Sequence, residues 1–315
     1  MAQSIERFLR KSLNPAYRLY KLRRRLRRIG QDLQYRRLPG ETRNLESLFR
    51  NEKLIRLFAD TSPRLHANYY QDYVSCRWSV DEVIHRIHDH YRFLLDRFPP
   101  AALEALSGNG ISLWSTTHED MNAEVRLLLL THDTIRNEGE FQLTLFLNGT
   151  WSHALGFLYH AAPDGRHYPL VCRNQGCIGQ FEQVRQFRKA HFELAPLFLL
   201  MDSLIALNTF IGLDEIQVLA PAESYQSRLG EERLDALYRQ AFEPFHARVR
   251  TEDGRAAIHL PLEEKPLESI DRRHRKRTQQ KRQAREQMRT EVLQRLEALS
   301  RPAEARHEDA PLLAA

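Results

Sequence analysis

The sequence has few cysteines, no long apolar run and no export signal. Only three cysteines occur in 315 residues, and their spacing matches neither a disulfide framework nor a zinc site. The most apolar segment, residues 195–211, is interrupted by Pro196, Asp202 and Asn208, so it is not the run of about 20 apolar residues that spans a bilayer. The first residues carry Arg and Lys where a secretory signal needs an apolar stretch. We therefore expect a cytoplasmic protein, with peripheral attachment to the inner membrane as the alternative.

Lysine is scarce, and the positive charge is concentrated at two places. The chain has 47 basic and 41 acidic residues, a net charge of +6, and 40 of the basic residues are arginine. Residues 1–37 carry a net charge of +10 and residues 265–289 carry +7, which leaves −11 for the rest. This segregation predicts an acidic body with basic segments on either side of it.

The charge pattern divides the chain into four parts. Residues 1–40 are predicted to form a basic amphipathic helix, because leucine and isoleucine recur every three or four residues between arginines. Residues 41–265 form the predicted α/β core, residues 266–300 a basic helix, and residues 301–315 a disordered tail.

Both basic helices have an ordinary interpretation, which is packing of their arginines on the acidic body. For residues 1–37 an anionic membrane surface is a second candidate partner. Nucleic acid is not expected as a partner of the helix after residue 266, because that helix has no aromatic side chain for stacking. The sequence does not predict an oligomeric state.

Hydrophobic periodicity predicts an α+β fold. Ser79 and Glu82 form a capping box that begins a helix ending before Pro99. From residue 111 the apolar pattern alternates, and glycine turns separate five predicted antiparallel strands at residues 111–114, 125–130, 141–147, 154–159 and 168–172. Further helices and two short strands, at residues 215–220 and 256–260, alternate after them. His85, His88 and Asp89 resemble metal ligands, but no second ligand cluster accompanies them, so no metal is expected.

A glycine-containing segment joins the fifth predicted strand to a helix. Its pattern, Arg173-x-x-Gly176-x-x-Gly179, is similar to the loop with which N-acetyltransferase-like folds hold the pyrophosphate of acyl-CoA. The order of helices and strands is similar to that fold as well. Arg173, Gln175, Gly176 and Gly179 are therefore the candidate residues for binding acyl-CoA. A pantetheine arm would also need the strand before Arg173 to separate from its neighbour.

Acyl transfer also needs a group that accepts a proton and one that donates a proton. The candidates are Glu140, His191 and Tyr238. Each has an ordinary alternative: Glu138 and Glu140 as solvated carboxylates of a hairpin, and His191 and Tyr238 as packing residues.

Several short motifs, in order, resemble the bacterial VirK/YbjX family. They are Glu138-Gly139-Glu140, Asn174-Gln175-Gly176-Cys177-Ile178-Gly179, Leu194-Ala195-Pro196, Tyr238 with Phe242-Glu243, Ile258-His259-Leu260-Pro261, and the basic stretch from Arg272 to Arg285. The resemblance covers about residues 45–290. It implies a bacterial protein connected with virulence, the stress response, envelope integrity and resistance to cationic antimicrobial peptides, but no defined reaction.

Two functions remain open from the sequence. One is an acyl-CoA-dependent transferase that modifies an envelope component. The other is a non-catalytic membrane-surface or regulatory protein that binds through its basic helices.

Overall fold

The computed structural model describes residues 73–118, 121–129, 138–162, 165–224, 238, 240–249 and 255–301. The helices are α1 Val80–Arg97, α2 Pro100–Ser107, α3 Phe181–Ala190, α4 Pro196–Ile211 and α5 Arg272–Ser300. The strands are β1 Ile111–His118, β2 Met121–Leu129, β3 Phe141–Leu147, β4 Thr150–Ala161, β5 His167–Gly176, β6 Glu215–Val218, β7 Arg248–Val249 and β8 Ala256–His259. Residues 238 and 240–242 are also helical. The predicted α+β class is confirmed.

The strands form one eight-stranded sheet in the order β1-β2-β3-β4-β5-β6-β8-β7. Strands β1 to β5 are an antiparallel meander, as predicted, and β8 pairs antiparallel with both β6 and β7. Strand β6 pairs parallel with β5, because α3 and α4 carry the chain back to the same end of the sheet.

Local sequence signals explain the element boundaries. Asn148 and Gly149 both have positive φ and join β3 to β4 in the tight turn that Asn-Gly favours. The Ser79 hydroxyl accepts a hydrogen bond from the amide of Glu82, whose carboxylate accepts one from the amide of Ser79, so the predicted capping box begins α1. Pro100 follows the end of α1 and also occupies the first turn of α2. The apolar pattern did not predict α2.

The central strands β3, β5 and β6 are buried on both faces along most of their length, whereas β2 packs through one face. Alternate residues of β2 are buried and the intervening ones are exposed or half-buried, so one face of this strand packs inward. Helix α4 is buried along most of its length against β2, β3 and β4, and α5 packs across α4 and β1. The buried Asp202 in α4 binds the guanidinium groups of Arg285 and Arg289 in α5. The α5 arginines therefore pair in part with the body of the protein, as the ordinary interpretation predicted.

Some predictions lie outside the described residues. These include the amphipathic helix at 1–40, the helical region before residue 73 and the tail after residue 301. Among the residues that are described, no helix is long and apolar enough to cross a membrane.

Candidate functional site

Two carboxylates, Glu138 and Glu140, lie just before β3 and are buried, with 4% and 3% of their surface exposed. Gly139 between them has φ of +122°, and a Cβ at this position would lie 2.8 Å from the carbonyl oxygen of Phe157 in β4. Only glycine fits such a close approach at positive φ. The chain therefore turns both carboxylates inward, and their interpretation as solvated turn residues was wrong.

Glu140 accepts hydrogen bonds from two buried tyrosine hydroxyls. Tyr91 of α1 donates to Oε2 at 2.6 Å, and Tyr73 donates to Oε1. Burial, together with the charge of Glu140, raises the pKa of Tyr73 well above its usual value, so this hydroxyl keeps its proton and acts as a donor. The arrangement stabilises a carboxylate in a site that solvent barely reaches.

Arg173 of β5 organises the other side of the cluster. Its guanidinium lies 3.2 Å from Oε2 of Glu138, donates to Oε1 of Gln142 in β3 at 2.8 Å, and donates to Oε1 of Gln175 at 2.8 and 3.0 Å. The Arg173 side chain is buried. The side chains of Arg173 and Gln175 are therefore hydrogen-bonded to each other, and Arg173 also links β5 to β3 through Gln142.

Strand β5 has a bulge beside this network. Gly156 of β4 pairs with Arg173 and Phe157 pairs with Val171, which leaves Cys172 as the extra residue. The Cys172 thiol lies 2.8 Å from the carbonyl oxygen of Glu138. Burial raises the pKa of this thiol well above its usual value, so Cys172 is a protonated structural donor.

Strand β5 continues beyond its parallel neighbour. The two strands pair at Leu170 with Gln217 and at Val171 with Val218, and β6 ends there while β5 runs on to Gly176. The hydroxyl of Tyr238 lies 3.4 Å from the carbonyl oxygen of Cys172, so Tyr238 contacts β5 one residue beyond its last pairing with β6. Burial is the main cause that raises the pKa of Tyr238, with smaller contributions from Cys172 and Glu138.

The glycine turn follows directly and ends at the first residue of α3. Gly176 pairs with His153 of β4, and Gly179 has φ of +91° with no atom within 4 Å of a Cβ placed there. Gln180 precedes α3 without a side-chain hydrogen bond to the helix. The first amides of α3 are thus without a side-chain cap, in a turn that is open on the side of Gly179.

The remaining candidate, His191, is separate from this cluster. It caps the C-terminal end of α3, where its ring packs on Phe187, Trp114 and His118. Burial lowers its pKa, and the nearby His118 adds to the effect. The structure therefore brings Glu140, Arg173, Gln175 and Tyr238 to one region around β5 and leaves His191 near β1.

Sequence reasoning did not select Tyr73, Tyr91 or Gln142. Tyr91 and Gln142 did carry a signal, because each is a polar group within an apolar stretch, on the inward face of α1 and in β3. Tyr73 reaches Glu140 from 67 residues away in the chain, and no local pattern indicates it.

A large cavity lies elsewhere in the molecule. It has a volume of about 960 Å³ and is lined by the end of α1, the β4–β5 turn, the second half of α4, the segment after β8 and the middle of α5. None of the polar residues around Glu140 and Arg173 lines it. Among the described residues, no group of three or more His, Cys, Asp or Glu side chains could hold a metal ion.

The chain was compared with known families, proteins and structures. A family model described as a protein of unknown function, DUF535, matches residues 20–294. No curated protein and no solved structure matches.

Proposed function

The chain belongs to the DUF535 family of proteins of unknown function, and from the geometry around β5 and α3 we propose that it is an acyltransferase using acyl-CoA. The acyl donor would bind where β5 separates from β6. The proposal is carried by one observation: β6 ends at Val218 while β5 runs on to Gly176, directly before a helix N-terminus without a side-chain cap.

The shape of the sheet supports a binding place for the pantetheine arm. Beyond Val171, strand β5 no longer pairs with β6. Past the Cys172 carbonyl, which the Tyr238 hydroxyl contacts, β5 would bind an extended chain carrying amides as a neighbouring strand would. The bulge at Cys172 turns the strand at the point of separation. Pantetheine has two amides in an extended chain and fits such an edge.

The turn into α3 supports a place for the pyrophosphate. The first amides of a helix carry partial positive charge and point outward, which favours phosphate. Gly179 leaves open space at this turn. Gly176 and Gly179 would let the phosphates approach the backbone, while Arg173 and Gln175 would hold β5 and the turn in place through their mutual hydrogen bonds.

Tyr238 and Glu140 are the groups proposed for proton transfer. The acceptor is an amine or hydroxyl, whose nitrogen or oxygen attacks the thioester carbonyl while the C–S bond breaks. Tyr238, whose raised pKa keeps it protonated, would donate its proton to the leaving thiolate. Glu140 would take the proton lost by the acceptor, by way of the hydroxyls of Tyr73 and Tyr91.

The identity of the acceptor rests on the VirK/YbjX resemblance alone. That resemblance favours a component of the bacterial envelope, or its precursor, as the acyl acceptor. A role in virulence or in resistance to cationic antimicrobial peptides would then follow from the modified envelope.

Thermal melting with acyl-CoA tests the binding step. At 100 times its dissociation constant a ligand adds about 2.7 kcal/mol of stability, which corresponds to about 5 °C or more for a domain of this size. We expect this rise with acetyl-CoA or a longer acyl-CoA, and we expect Gly179→Ala to reduce it. Gly149→Ala is the matched control, because Gly149 also has positive φ and open space around it. No rise with any acyl-CoA would overturn the proposal.

Thiol release from acyl-CoA tests the chemical step. Tyr238→Phe should keep the rise in melting temperature and lose most of the turnover. Tyr159→Phe is the control, since it also removes one buried tyrosine hydroxyl, for which no hydrogen-bond partner occurs among the described residues. Equal turnover in both variants would exclude Tyr238 as the proton donor.

A further inference from the structure

Two large apolar side chains stand in solvent at the turn before α3. Ile178 is 99% exposed and Phe181 is 80% exposed. Ile178 directly precedes Gly179 in the turn, and Phe181 is the first residue of α3. Two such side chains left in water contribute almost no burial free energy to folding. A pair of this kind is typical of a surface that meets an apolar environment.

Basic side chains continue from this pair along α3. Phe181, Arg185 and Arg188 are spaced four and three residues apart, so they share one edge of the helix. All three are exposed, as is Lys189, whereas Phe187 is buried on the opposite side. The acidic neighbours are Glu182, which pairs with Arg185, and Glu193, which pairs with Arg188.

Helix α5 extends the basic surface. Its first turns carry exposed basic residues, namely Arg272, Arg273, Arg275, Lys276 and Arg277. Lys281 lies close enough to Arg188 and Glu193 for their charges to act on it, although burial is the main cause that lowers its pKa. Lys281 of α5 therefore lies near the ion pair that Arg188 of α3 forms with Glu193.

We propose that this region docks on an anionic lipid bilayer, with Ile178 and Phe181 inserted among the acyl chains and the arginines and lysines of α3 and α5 at the headgroups. The combination matches an interfacial helix, in which apolar side chains enter the bilayer and basic side chains bind anionic lipid beside them. A nucleic acid would use the charge and could stack on Phe181, but it offers no apolar partner for Ile178. The two apolar side chains border the turn proposed for the pyrophosphate, but membrane docking does not require acyl transfer and is tested without acyl-CoA. The surface is distinct from residues 1–37.

Vesicle co-sedimentation of the full chain tests the proposal. The vesicles contain phosphatidylglycerol with phosphatidylethanolamine, or phosphatidylcholine alone, at low and moderate salt. We expect binding to the anionic vesicles only, weakened by salt, and about tenfold or more weaker for the double variant Ile178→Ser, Phe181→Ser. Val249→Ser is the matched control, because Val249 is an apolar residue, 66% exposed, in β7 at the far edge of the sheet. Because all three side chains are exposed, these variants should fold normally, which their melting temperatures check.

Three results would overturn the proposal. One is equal binding of the double variant and the wild-type chain, which would move any membrane contact to another segment. Another is failure of the wild-type chain to bind anionic vesicles at low salt. The last result has two parts: a short DNA duplex displaces the wild-type chain from the vesicles, and the wild-type chain binds that duplex whereas the double variant does not. This result would assign the surface to nucleic acid.

Discussion

At the scale of single residues, burial makes the carboxylate of Glu140 depend on its hydrogen-bond donors. Its carboxylate has almost no contact with solvent and accepts hydrogen bonds from Tyr73 and Tyr91. An acceptor in this position must keep both oxygens available. If a buried donor faces another donor, it makes no hydrogen bond, and the folded state loses the full desolvation energy of that group.

Glu140→Gln should therefore lower stability. It replaces one acceptor oxygen with an NH₂ group that faces a tyrosine hydroxyl, and we expect a loss of about 1–3 kcal/mol in the free energy of unfolding. Urea denaturation measures this loss. Glu124→Gln is the control, because the partly exposed Glu124 pairs with Arg126 near the surface, where such a pair contributes less than about 1 kcal/mol. Equal losses in the two variants would contradict the role given to the tyrosines.

At the scale of elements, Asp202 joins α4 to α5. Its oxygens lie 2.7 and 3.0 Å from the Arg285 guanidinium and 3.1 Å from that of Arg289. Burial raises the pKa of Asp202, while both guanidiniums act in the opposite direction. The two arginines thus compensate a charge placed within an otherwise apolar helix.

Asp202→Ala should loosen the attachment of α5. Removing one partner of a buried ion pair costs about 3–5 kcal/mol, and we expect a value near the lower limit because both guanidiniums keep some contact with solvent. The amides of α5 should exchange faster with solvent, because the same loss of free energy makes opening of this helix more frequent. Glu182→Ala, which removes the exposed partner of Arg185, should leave both measurements nearly unchanged. An unaltered α5 in Asp202→Ala would show that apolar packing alone holds the helix.

The elements show which features a sequence can predict. The capping box at Ser79, the Asn148-Gly149 turn and the alternating pattern of β1 to β5 are local, and the structure confirms them. The pairing of β6 with β5 and the insertion of β8 between β6 and β7 depend on contacts far apart in the chain.

The candidate site around β5 was predictable only in part, because some of its contacts also join residues far apart in the chain. Arg173 and Gln175 lie in β5, and Tyr238 contacts the same strand at the carbonyl oxygen of Cys172. The burial of Glu140 depends on Tyr73 and Tyr91, which belong to a different part of the sequence. The bulge at Cys172 depends on the register of β4 against β5.

At the scale of the whole molecule, two buried histidines make stability depend on pH. Burial lowers the pKa of His90 and of His160 to about 3, and Arg86 and Arg255 add to the effect on His160. Unfolded histidine binds a proton below about pH 6.5. Between pH 6.5 and about 3 the unfolded chain therefore binds more protons than the folded one, so stability is complete above pH 6.5 and falls as the pH is lowered.

Each histidine should contribute about 1.4 kcal/mol of lost stability per pH unit below pH 6. The double variant His90→Asn, His160→Gln should show a shallower dependence, because neither amide titrates. His90→Asn keeps an acceptor for the amide of Tyr159, and His160→Gln keeps polar atoms near Gln217 and Arg86. Urea denaturation at pH 7, 6 and 5 measures the slopes. His85→Gln, at an exposed position, should keep the wild-type slope, and an equally steep slope in the double variant would contradict the account.

The central claim is that acyl-CoA binds where β5 separates from β6, at the turn into α3. Hydrogen exchange with and without saturating acyl-CoA tests it most directly. We predict slower exchange at residues 172–183, with little change around the large cavity at residues 165–168 and 260–264. Unchanged exchange at residues 172–183, or slowing confined to the cavity segments, would contradict the claim.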